Sequence, residues 1–320
     1  MQNQFEVIQY RNFGKCIRIS NAVCTVIITV DVGPRIIYYG MADGINLFRE
    51  DISRQSYECG EAFDRFYYPG AVWYHYGGHR LWFTPEQSPD TYYPDNDKVS
   101  WSIEGNVLTL IPGKQIKNEV QYIVKIELDC LGTDLKVGHE IRNCSARPRL
   151  LAPWTVTQMA PAGNMIIPLP QFEPESLAPR QKLQLWDNTS ITDARFYWRK
   201  DSLWVQHIPE EKECIKLGLY NTGGKAFYYK EGYLFTVRFP FTEGKNYPDG
   251  GASFEMYCCS QFCEMETLGE EVCLLPGEQA FHEISFALEK VDENINHLFI
   301  ILGLNHCGQE EKEVIKNEDY

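Results

Sequence analysis

Short runs in which β-branched and aromatic residues alternate with polar ones recur along this chain. Four such runs cover residues 22–30, 100–110, 119–128 and 135–141. A period of two puts successive side chains on opposite faces, so each run predicts a half-buried strand. Turn residues punctuate the chain at Gly33-Pro34, Pro69-Gly70, Gly77-Gly78, Pro112-Gly113, Gly223-Gly224, Gly250-Gly251 and Pro276-Gly277. Many short strands with regular turns predict an all-β fold, a large antiparallel β-sandwich.

The chain length is compatible with one domain. Its 320 residues can bury a large core, and β-sandwiches of this size often form a single unit. We predict one domain over residues 1–305 and a frayed tail over 306–320, where charged residues dominate. Only two segments, 210–217 and 291–302, carry weak helix signals.

The charge balance limits the classes of partner. The formal net charge is -14, so the field around the protein repels phosphate backbones and anionic lipids. Nucleic acid and membrane surfaces are therefore not expected as partners. The first residues lack a basic start followed by an apolar run, and the apolar stretch 298–304 is too short to span a bilayer. We predict a cytoplasmic location.

Eleven cysteines are spread over the whole chain, which argues against a disulfide scaffold, and their odd number fits a reducing compartment. Cys258, Cys259 and Cys263 lie close together, but no C-x-x-C spacing occurs, and adjacent residues of a strand point to opposite faces. We predict buried thiols rather than a metal site. Nothing in the sequence calls for a cofactor.

The segment 63–83 interleaves aromatic residues with His75, His79 and Arg80. Sheet core explains most of the rings singly, but it does not explain the charged and titratable residues between them. A ring can lie against the apolar C–H face of a pyranose while nearby donors bind its hydroxyl groups. The segment therefore indicates a small carbohydrate as the partner. We expect both ends of the segment to lie on one large sheet.

Several motifs carry a resemblance to a known family. The stretches 76–86 (YGGHRLWFTPE) and 247–251 (YPDGG) resemble motifs of a bacterial branch of the galactose mutarotase-like superfamily. Residues 263–268 (CEMETL), followed by Leu-Pro-Gly-Glu at 275–278 and a strand over 280–288, resemble the end of aldose 1-epimerases. The resemblance covers about residues 21–288 and implies the supersandwich fold of that superfamily.

The resemblance implies a general base. In the family it is the glutamate of the Leu-Glu-Thr strand, which matches Glu266 here. A carboxylate can accept a proton from the anomeric hydroxyl and return it after ring opening. Glu264 lies on the same strand face, about 6.6 Å away along the strand, so each acid would favour the protonated form of the other. Glu264 is predicted to bind substrate or to be a solvated strand residue.

The family's general acid is a histidine that follows an Asn and a Pro. Residues 143–148 supply that lead-in, but Trp154 stands at the histidine position. An indole N–H donates hydrogen bonds without titrating near neutral pH. We predict His79 as the substitute acid, with His139 as a second candidate, because histidine titrates in the useful range.

Four residues complete the predicted site as binding groups. Arg80 resembles the family's substrate-binding arginine, and Trp82 or Trp154 is expected to form a wall against which a sugar ring lies. Asp249, in the YPDGG turn, either contacts the sugar or shapes the turn.

Three functions remain open. The first is a sugar epimerase or mutarotase that uses Glu266 with a substitute acid, and the second is a non-catalytic carbohydrate-binding protein. The third is a glycoside-cleaving enzyme with an acid and base drawn from Glu255, Glu264 and Glu266. It ranks last because two carboxyls on one strand lie side by side rather than on either side of a bond.

Overall fold

Strands dominate the computed structural model, which describes residues 2–170, 181–291 and Leu302. In chain order they are β1 Gln4–Gln9, β2 Lys15–Ser20, β3 Cys24–Thr29, β4 Ile36–Met41, β5 Tyr57–Cys59, β6 Val72–Tyr74, β7 His79–Phe83, β8 Ser100–Glu104, β9 Val107–Ile111, β10 Val120–Leu128, β11 Leu135–Asn143, β12 Arg149–Leu151, β13 Pro153–Met159, β14 Asn164–Pro168, β15 Leu183–Leu185, β16 Phe196–Trp198, β17 Ser202–Gln206, β18 Ile215–Leu219, β19 Lys225–Lys230, β20 Tyr233–Arg238, β21 Phe254–Cys258, β22 Cys263–Leu268, β23 Val272–Leu274 and β24 Gln279–Lys290. Two short helices, α1 Glu61–Phe66 and α2 Pro248–Gly251, accompany them.

Twenty of the strands form two ten-stranded sheets. The first sheet has the order β1-β2-β3-β4-β7-β13-β22-β21-β18-β15, and the second has the order β16-β17-β14-β19-β20-β24-β11-β10-β9-β8. Two further pairs, β12 with β23 and β5 with β6, lie outside these sheets. The sheets are antiparallel, and the predicted all-β sandwich is confirmed.

Alternating burial explains why the sheets stack. Along β10, Lys125 and Glu127 face solvent, whereas every second residue from Val120 is buried. Apolar side chains of both sheets meet in one core. The ring of Tyr39 on β4, for example, lies 6.2 Å from that of Phe235 on β20, between ring centroids. Burying such faces is the main stabilisation of a sandwich.

The predicted strands are present with small shifts. The runs at 22–30, 119–128 and 135–141 correspond to β3, β10 and β11, and the run at 100–110 is a hairpin of β8 and β9. The predicted helix at 210–217 is wrong, because residues 215–217 begin β18. The segment 63–83 does not lie on one sheet, since Phe63 belongs to α1 and Phe83 to β7.

Two predictions concern segments that lie wholly or mostly outside the described residues. The tail at 306–320 lies wholly outside the described residues, and of the predicted helix at 291–302 only Val291 and Leu302 are described. In the part of the chain that is described, no helix combines the length and apolar character needed to cross a bilayer.

The cysteine prediction needs one correction. Cys258 and Cys263 face each other in the hairpin of β21 and β22, with Cα atoms 4.1 Å apart, and a disulfide joins them. Directly opposed residues of an antiparallel pair come this close, which the spacing in the sequence did not indicate. Cys259 remains a free thiol.

A buried polar chain links the two sheets. Nδ1 of His79, on β7, is hydrogen-bonded to the Thr157 hydroxyl at 2.9 Å, and its Nε2 lies 2.9 Å from Nε2 of His139, on β11. Nδ1 of His139 donates to the carbonyl oxygen of His282 at 2.9 Å. Nε2 of His282 is 2.8 Å from the Thr267 hydroxyl, back in the first sheet. His79 and His139 therefore belong to the inter-sheet contact.

These histidines are held neutral. Burial lowers the pKa of His139 to about 4, and burial together with the neighbouring His139 lowers the pKa of His282 to about 3. An unfolded histidine titrates near 6.5, so below that pH the unfolded chain binds more protons than the folded one. Each buried histidine therefore makes the folded state less stable as the pH falls.

We expect His282→Gln to weaken this pH dependence. Gln retains a donor near the Nε2 position but cannot be protonated, so the drop in unfolding free energy between about pH 7 and about pH 5 should shrink by roughly 2 kcal/mol. Urea denaturation of both proteins at the two pH values measures the difference. Carboxyls with raised pKa values act in the opposite direction, so the comparison is made between variant and wild type. Equal drops in the two proteins would contradict the account.

Candidate functional site

The candidate site is built on the outer face of three adjacent strands, β7, β13 and β22. In their register Arg80 pairs with Val156, which in turn pairs with Glu266. Because side chains alternate along a strand, these residues share one face, and His79 and Met265 share the opposite face. All six residues of β22 are buried. One face of the strand packs against the second sheet, and the other face forms part of the cavity wall.

A cavity of about 540 Å³ opens on this outer face. Five of the residues predicted to form the site line it: Arg80, Trp82, Trp154, Glu264 and Glu266. Residues that were not predicted as part of the site also line the cavity, among them His75, Glu86, Trp186, Lys216 and Tyr257. The structure thus gathers residues from β7, β13, β18, β21 and β22 around one space.

Three predicted site residues do not line this cavity. His79 precedes Arg80 on the same strand, so its side chain points between the sheets, where it meets His139. His139 lies on the second sheet and is buried. Asp249 is exposed in α2 with a φ of 50°, a left-handed conformation that Asp tolerates, so it shapes the turn. The predicted common pocket for His79 and Glu266 is therefore wrong.

Glu266 is the carboxyl most fully enclosed at the cavity wall, with 1 % of its surface exposed. Its Oε2 accepts hydrogen bonds from Nε1 of Trp154 at 2.8 Å and from Nζ of Lys216 at 3.2 Å. Burial raises the pKa of Glu266 to about 7; the nearby carboxylates of Glu264 and Glu86 add to the rise, and the Lys216 ammonium opposes it. Glu266 can therefore take up and release a proton near neutral pH.

Lys216, on β18, lies between carboxylates and an aromatic ring. Its Nζ is 2.9 Å from Oε2 of Glu255, 3.2 Å from Oε2 of Glu266 and 3.7 Å from Oε2 of Glu86. It also lies 4.7 Å from the ring centroid of Trp154. Burial alone would lower the pKa of Lys216, but the carboxylates of Glu266, Glu255 and Glu86 outweigh it and raise the pKa.

Glu255, on β21, lies directly opposite Glu266 on the same sheet face, but it is fully buried and does not line the cavity. Its Oε1 has no hydrogen-bond partner among residues 2–170 and 181–291. An ionised carboxyl is strongly disfavoured in such a place. Burial raises the pKa of Glu255 well above its usual value, with a further rise from the Glu266 carboxylate, although Lys216 opposes it. Burial thus favours the neutral form of Glu255, while the Lys216 ammonium at 2.9 Å favours the ionised form.

The carboxyl of Glu264, which also lines the cavity, is held by different partners. Its Oε1 accepts from Nε2 of Gln158 at 2.8 Å and lies 3.4 Å from Nη2 of Arg80. The Arg80 guanidinium is buried against two neighbouring indoles, with its central carbon 5.4 Å from the ring centroid of Trp73 and 4.0 Å from that of Trp82. These contacts fix both charges at the wall.

Gln158 also fixes the protonation of His75. Arg49 donates to Oε1 of Gln158 at 3.0 Å, so the amide nitrogen of Gln158 faces Glu264 and, at 2.7 Å, Nδ1 of His75. Burial lowers the pKa of His75 well below its usual value, and Arg80 and Arg49 add to the effect. With Nδ1 accepting, the neutral ring carries its proton on Nε2. His75 is a hydrogen-bonding group at neutral pH rather than a proton source.

The sequence carried signals for the residues that were missed. Lys216 is a lone charge in the apolar strand 215–219 (IKLGL). Because residues 210–217 were predicted as a helix, the strand pattern around Lys216 was not considered. His75 stands in the aromatic segment that was singled out. Gln158 is a buried amide on β13, four residues after Trp154, and only the strand register shows that it shares the face of Glu264.

The arrangement suits acid–base chemistry on a polar ring-shaped molecule. Glu266 offers a carboxyl that titrates near neutral pH, and Lys216 offers an ammonium beside it. The rings of Trp82 and Trp154, with centroids 5.0 Å apart, give the cavity an apolar wall. Within the described ranges 2–170 and 181–291, no group of three or more His, Cys, Asp or Glu side chains is placed to hold a metal ion.

Comparison with known proteins defines the fold. No family model matches the chain, and no curated protein matches it. Among solved structures it resembles galactose mutarotase-like proteins from Clostridium acetobutylicum (TM-score 0.54, 12 % identity, 91 % of this chain and 99 % of that one) and Lactobacillus casei (0.54, 12 %, 86 % and 100 %). It also resembles a TPR-domain containing protein from Parabacteroides distasonis (0.59, 14 %, 88 % of this chain), of which it spans only 48 %.

Proposed function

From the galactose mutarotase-like fold and the cavity on its first sheet, we propose that this chain binds a carbohydrate and interconverts its anomers, with Glu266 as the general base. The observation that carries the proposal is the state of Glu266. It is enclosed at the cavity wall, is held by Trp154 and Lys216, and has a pKa of about 7. A general base is most efficient when its pKa lies near the working pH.

The shape of the cavity supports a sugar as the ligand. Its volume of about 540 Å³ is typical of small-molecule sites. Trp82 and Trp154 provide rings against which the C–H face of a pyranose can lie, and Arg80 and His75 provide donors for hydroxyl groups. The binding of one small carbohydrate is the partner that we propose. The exclusion of nucleic acid and membrane surfaces, and the cytoplasmic location, stay predictions.

The proposed reaction needs two proton transfers. Glu266 takes the proton from the hydroxyl on the anomeric carbon, the carbonyl forms there, and the bond between that carbon and the ring oxygen breaks. A general acid gives a proton to the ring oxygen. Rotation about the adjoining C–C bond and the reverse transfers then close the ring with the opposite configuration. All atoms and charges balance without a cofactor.

A non-catalytic sugar-binding protein is the second candidate. It is favoured by one observation: the position expected to hold a titrating histidine is occupied by Trp154, whose N–H donates to Glu266. Glycoside cleavage has less support. Glu255 and Glu266 share the Lys216 ammonium, and Glu255 is not part of the cavity wall, so this pair cannot lie on either side of a glycosidic bond.

A panel of freshly dissolved aldoses separates the first two candidates. We expect the wild-type protein to speed the change in optical rotation of at least one sugar, and calorimetric titration to detect binding of the same sugar. Binding without faster rotation would favour the non-catalytic candidate. No binding of any sugar at millimolar concentration would contradict both.

The pH profile of the wild type and of Trp154→Phe gives a further prediction. Activity should rise with pH to half its maximum near pH 7, because Glu266 must be ionised to act as a base. Removing the indole N–H takes a hydrogen bond from the ionised carboxyl, so the midpoint in Trp154→Phe should move up by about one pH unit. Trp82→Phe, which keeps the Trp154 donor, serves as the control. An unmoved midpoint in Trp154→Phe would contradict the assignment to Glu266.

A further inference from the structure

Ring opening requires an acid, and most of the obvious candidates are excluded by their surroundings. Trp154 does not titrate, His75 is neutral with Nδ1 occupied by Gln158, and His79 lies on the opposite face of the sheet. Among the residues that the structure describes, one cationic side chain remains in direct contact with the proposed base. It is Lys216, whose Nζ is 3.2 Å from Oε2 of Glu266.

The structure of a sugar requires the general acid to lie near the general base. The anomeric hydroxyl oxygen and the ring oxygen are bonded to the same carbon, so the base and the acid that serve them must lie close together. Lys216 lines the cavity, and its ammonium is flanked by the rings of Trp154 and Trp186, with centroids 4.7 and 4.9 Å away. We propose that Lys216 is the general acid that protonates the ring oxygen, an inference that rests on the proposed function.

In the ring-opening step, Glu266 and Lys216 each exchange one proton with the sugar. The O–H bond at the anomeric carbon breaks and its proton goes to Glu266, while an N–H bond of Lys216 breaks and its proton goes to the ring oxygen. The enzyme passes from a carboxylate and an ammonium to a carboxylic acid and an amine. Ring closure on the other side returns both protons.

The surrounding charges explain how the ammonium can release a proton at this moment. Within the described part of the chain, three carboxyls face Lys216: Glu255 from β21, Glu266 from β22 and Glu86 from the segment after β7. In the resting state the carboxylate of Glu266, with Glu86 beyond it, holds the proton on the amine. Once Glu266 accepts the sugar's proton, its own charge disappears, Glu255 already favours its neutral form, and only the more distant Glu86 carboxyl, at 3.7 Å, still faces the ammonium. Charges interact strongly at low dielectric, so losing the counter-ion favours release from Lys216.

The competing role for Lys216 is electrostatic only. An ammonium beside Glu266 keeps the carboxyl partly ionised, and any fixed cation would do the same. Lys216→Arg separates the two roles, because Arg keeps the charge but does not give up a proton in proteins. If Lys216 is the acid, this variant should lose about 10²–10⁴-fold in turnover of the sugar that the wild type interconverts, with calorimetric binding retained.

Chemical rescue of Lys216→Ala provides a second measurement, independent of how well Arg fits. Methylammonium can occupy the vacated space and donate a proton, whereas guanidinium can supply only charge. We expect methylammonium to restore turnover at least about tenfold and guanidinium to restore none. Lys125→Arg, an exposed change on β10, is the matched control and should behave as wild type.

The outcomes separate this inference from the proposed function. If Lys216→Arg stays within about threefold of wild type, or if guanidinium restores Lys216→Ala as well as methylammonium does, Lys216 is not the acid, and the role of Glu266 still stands. If the wild type interconverts no sugar of the panel, both are overturned. Loss in Lys216→Arg together with rescue by methylammonium only supports the assignment.

Discussion

Glu266→Gln should slow anomer interconversion by about 10²–10⁴-fold, because the amide cannot accept the proton from the anomeric hydroxyl. Binding of the same sugar should persist, since the rings of Trp82 and Trp154 and the donor groups of the wall are unchanged. Polarimetry of freshly dissolved sugar measures the first effect, and calorimetric titration measures the second.

The variant is expected to fold. The amide oxygen of Gln can accept from both Trp154 and Lys216, as Oε2 of Glu266 does. Removing one carboxyl also removes a cause of the raised pKa of Glu255, which can then ionise more readily and balance the ammonium. Glu127→Gln, on the exposed face of β10, is the matched control. Turnover in Glu266→Gln equal to that of the control would remove Glu266 from the mechanism.

Arg80→Met should be the most destabilising single change at the wall, with a loss of about 3 kcal/mol or more in the free energy of unfolding. Arg80 and Glu264 form a buried ion pair at 3.4 Å, and removing the cation leaves a carboxylate short of its partner. The change also removes the stacking of the guanidinium on Trp82. Urea denaturation near neutral pH measures the loss.

Two comparisons make this prediction specific. The double variant Arg80→Met with Glu264→Gln should recover part of the loss, because no unpaired charge then remains. Arg18→Met breaks an exposed pair with Glu6, whose side chains are 40 % and 46 % exposed, and should lose only a small fraction as much. Additive losses in the double variant would show that the Arg80–Glu264 pair does not stabilise the fold.

The architecture was predictable because it depends on a local period. Alternation in residues such as those of β10 reports directly on which side chains meet the core, and no distant information is needed. The cysteine pair at 258 and 263 was not predictable in the same way. Its bond depends on the register of the hairpin, which places the two residues directly opposite each other.

The predicted site was partly correct because it, too, depends on the strand period of two. Arg80 and Trp82, two residues apart, reach one face, as do Glu264 and Glu266. The period of two also implies that His79 cannot share the face of its neighbour Arg80. A pocket containing Arg80, Glu266 and His79 together was therefore inconsistent with a strand over these residues. Applying the strand period to the site residues as well as to the core would have excluded His79.

The remaining site residues could not be found from local patterns. The contacts of Lys216 with Glu255 and Glu266 join β18, β21 and β22, and they depend on which strands become neighbours in the sheet. The protonation of His75 depends on an amide, Gln158, that is oriented by Arg49 from a distant part of the chain. Such electrostatic environments arise only from the folded arrangement.

A crystal structure of Glu266→Gln grown with the tightest-binding aldose of the panel tests the central claim most directly. The account predicts the sugar ring against Trp82 or Trp154, with the anomeric oxygen within hydrogen-bond reach of the side chain at position 266 and the ring oxygen within reach of Lys216. A sugar bound elsewhere on the protein, or a cavity that stays empty at saturating sugar, would contradict it.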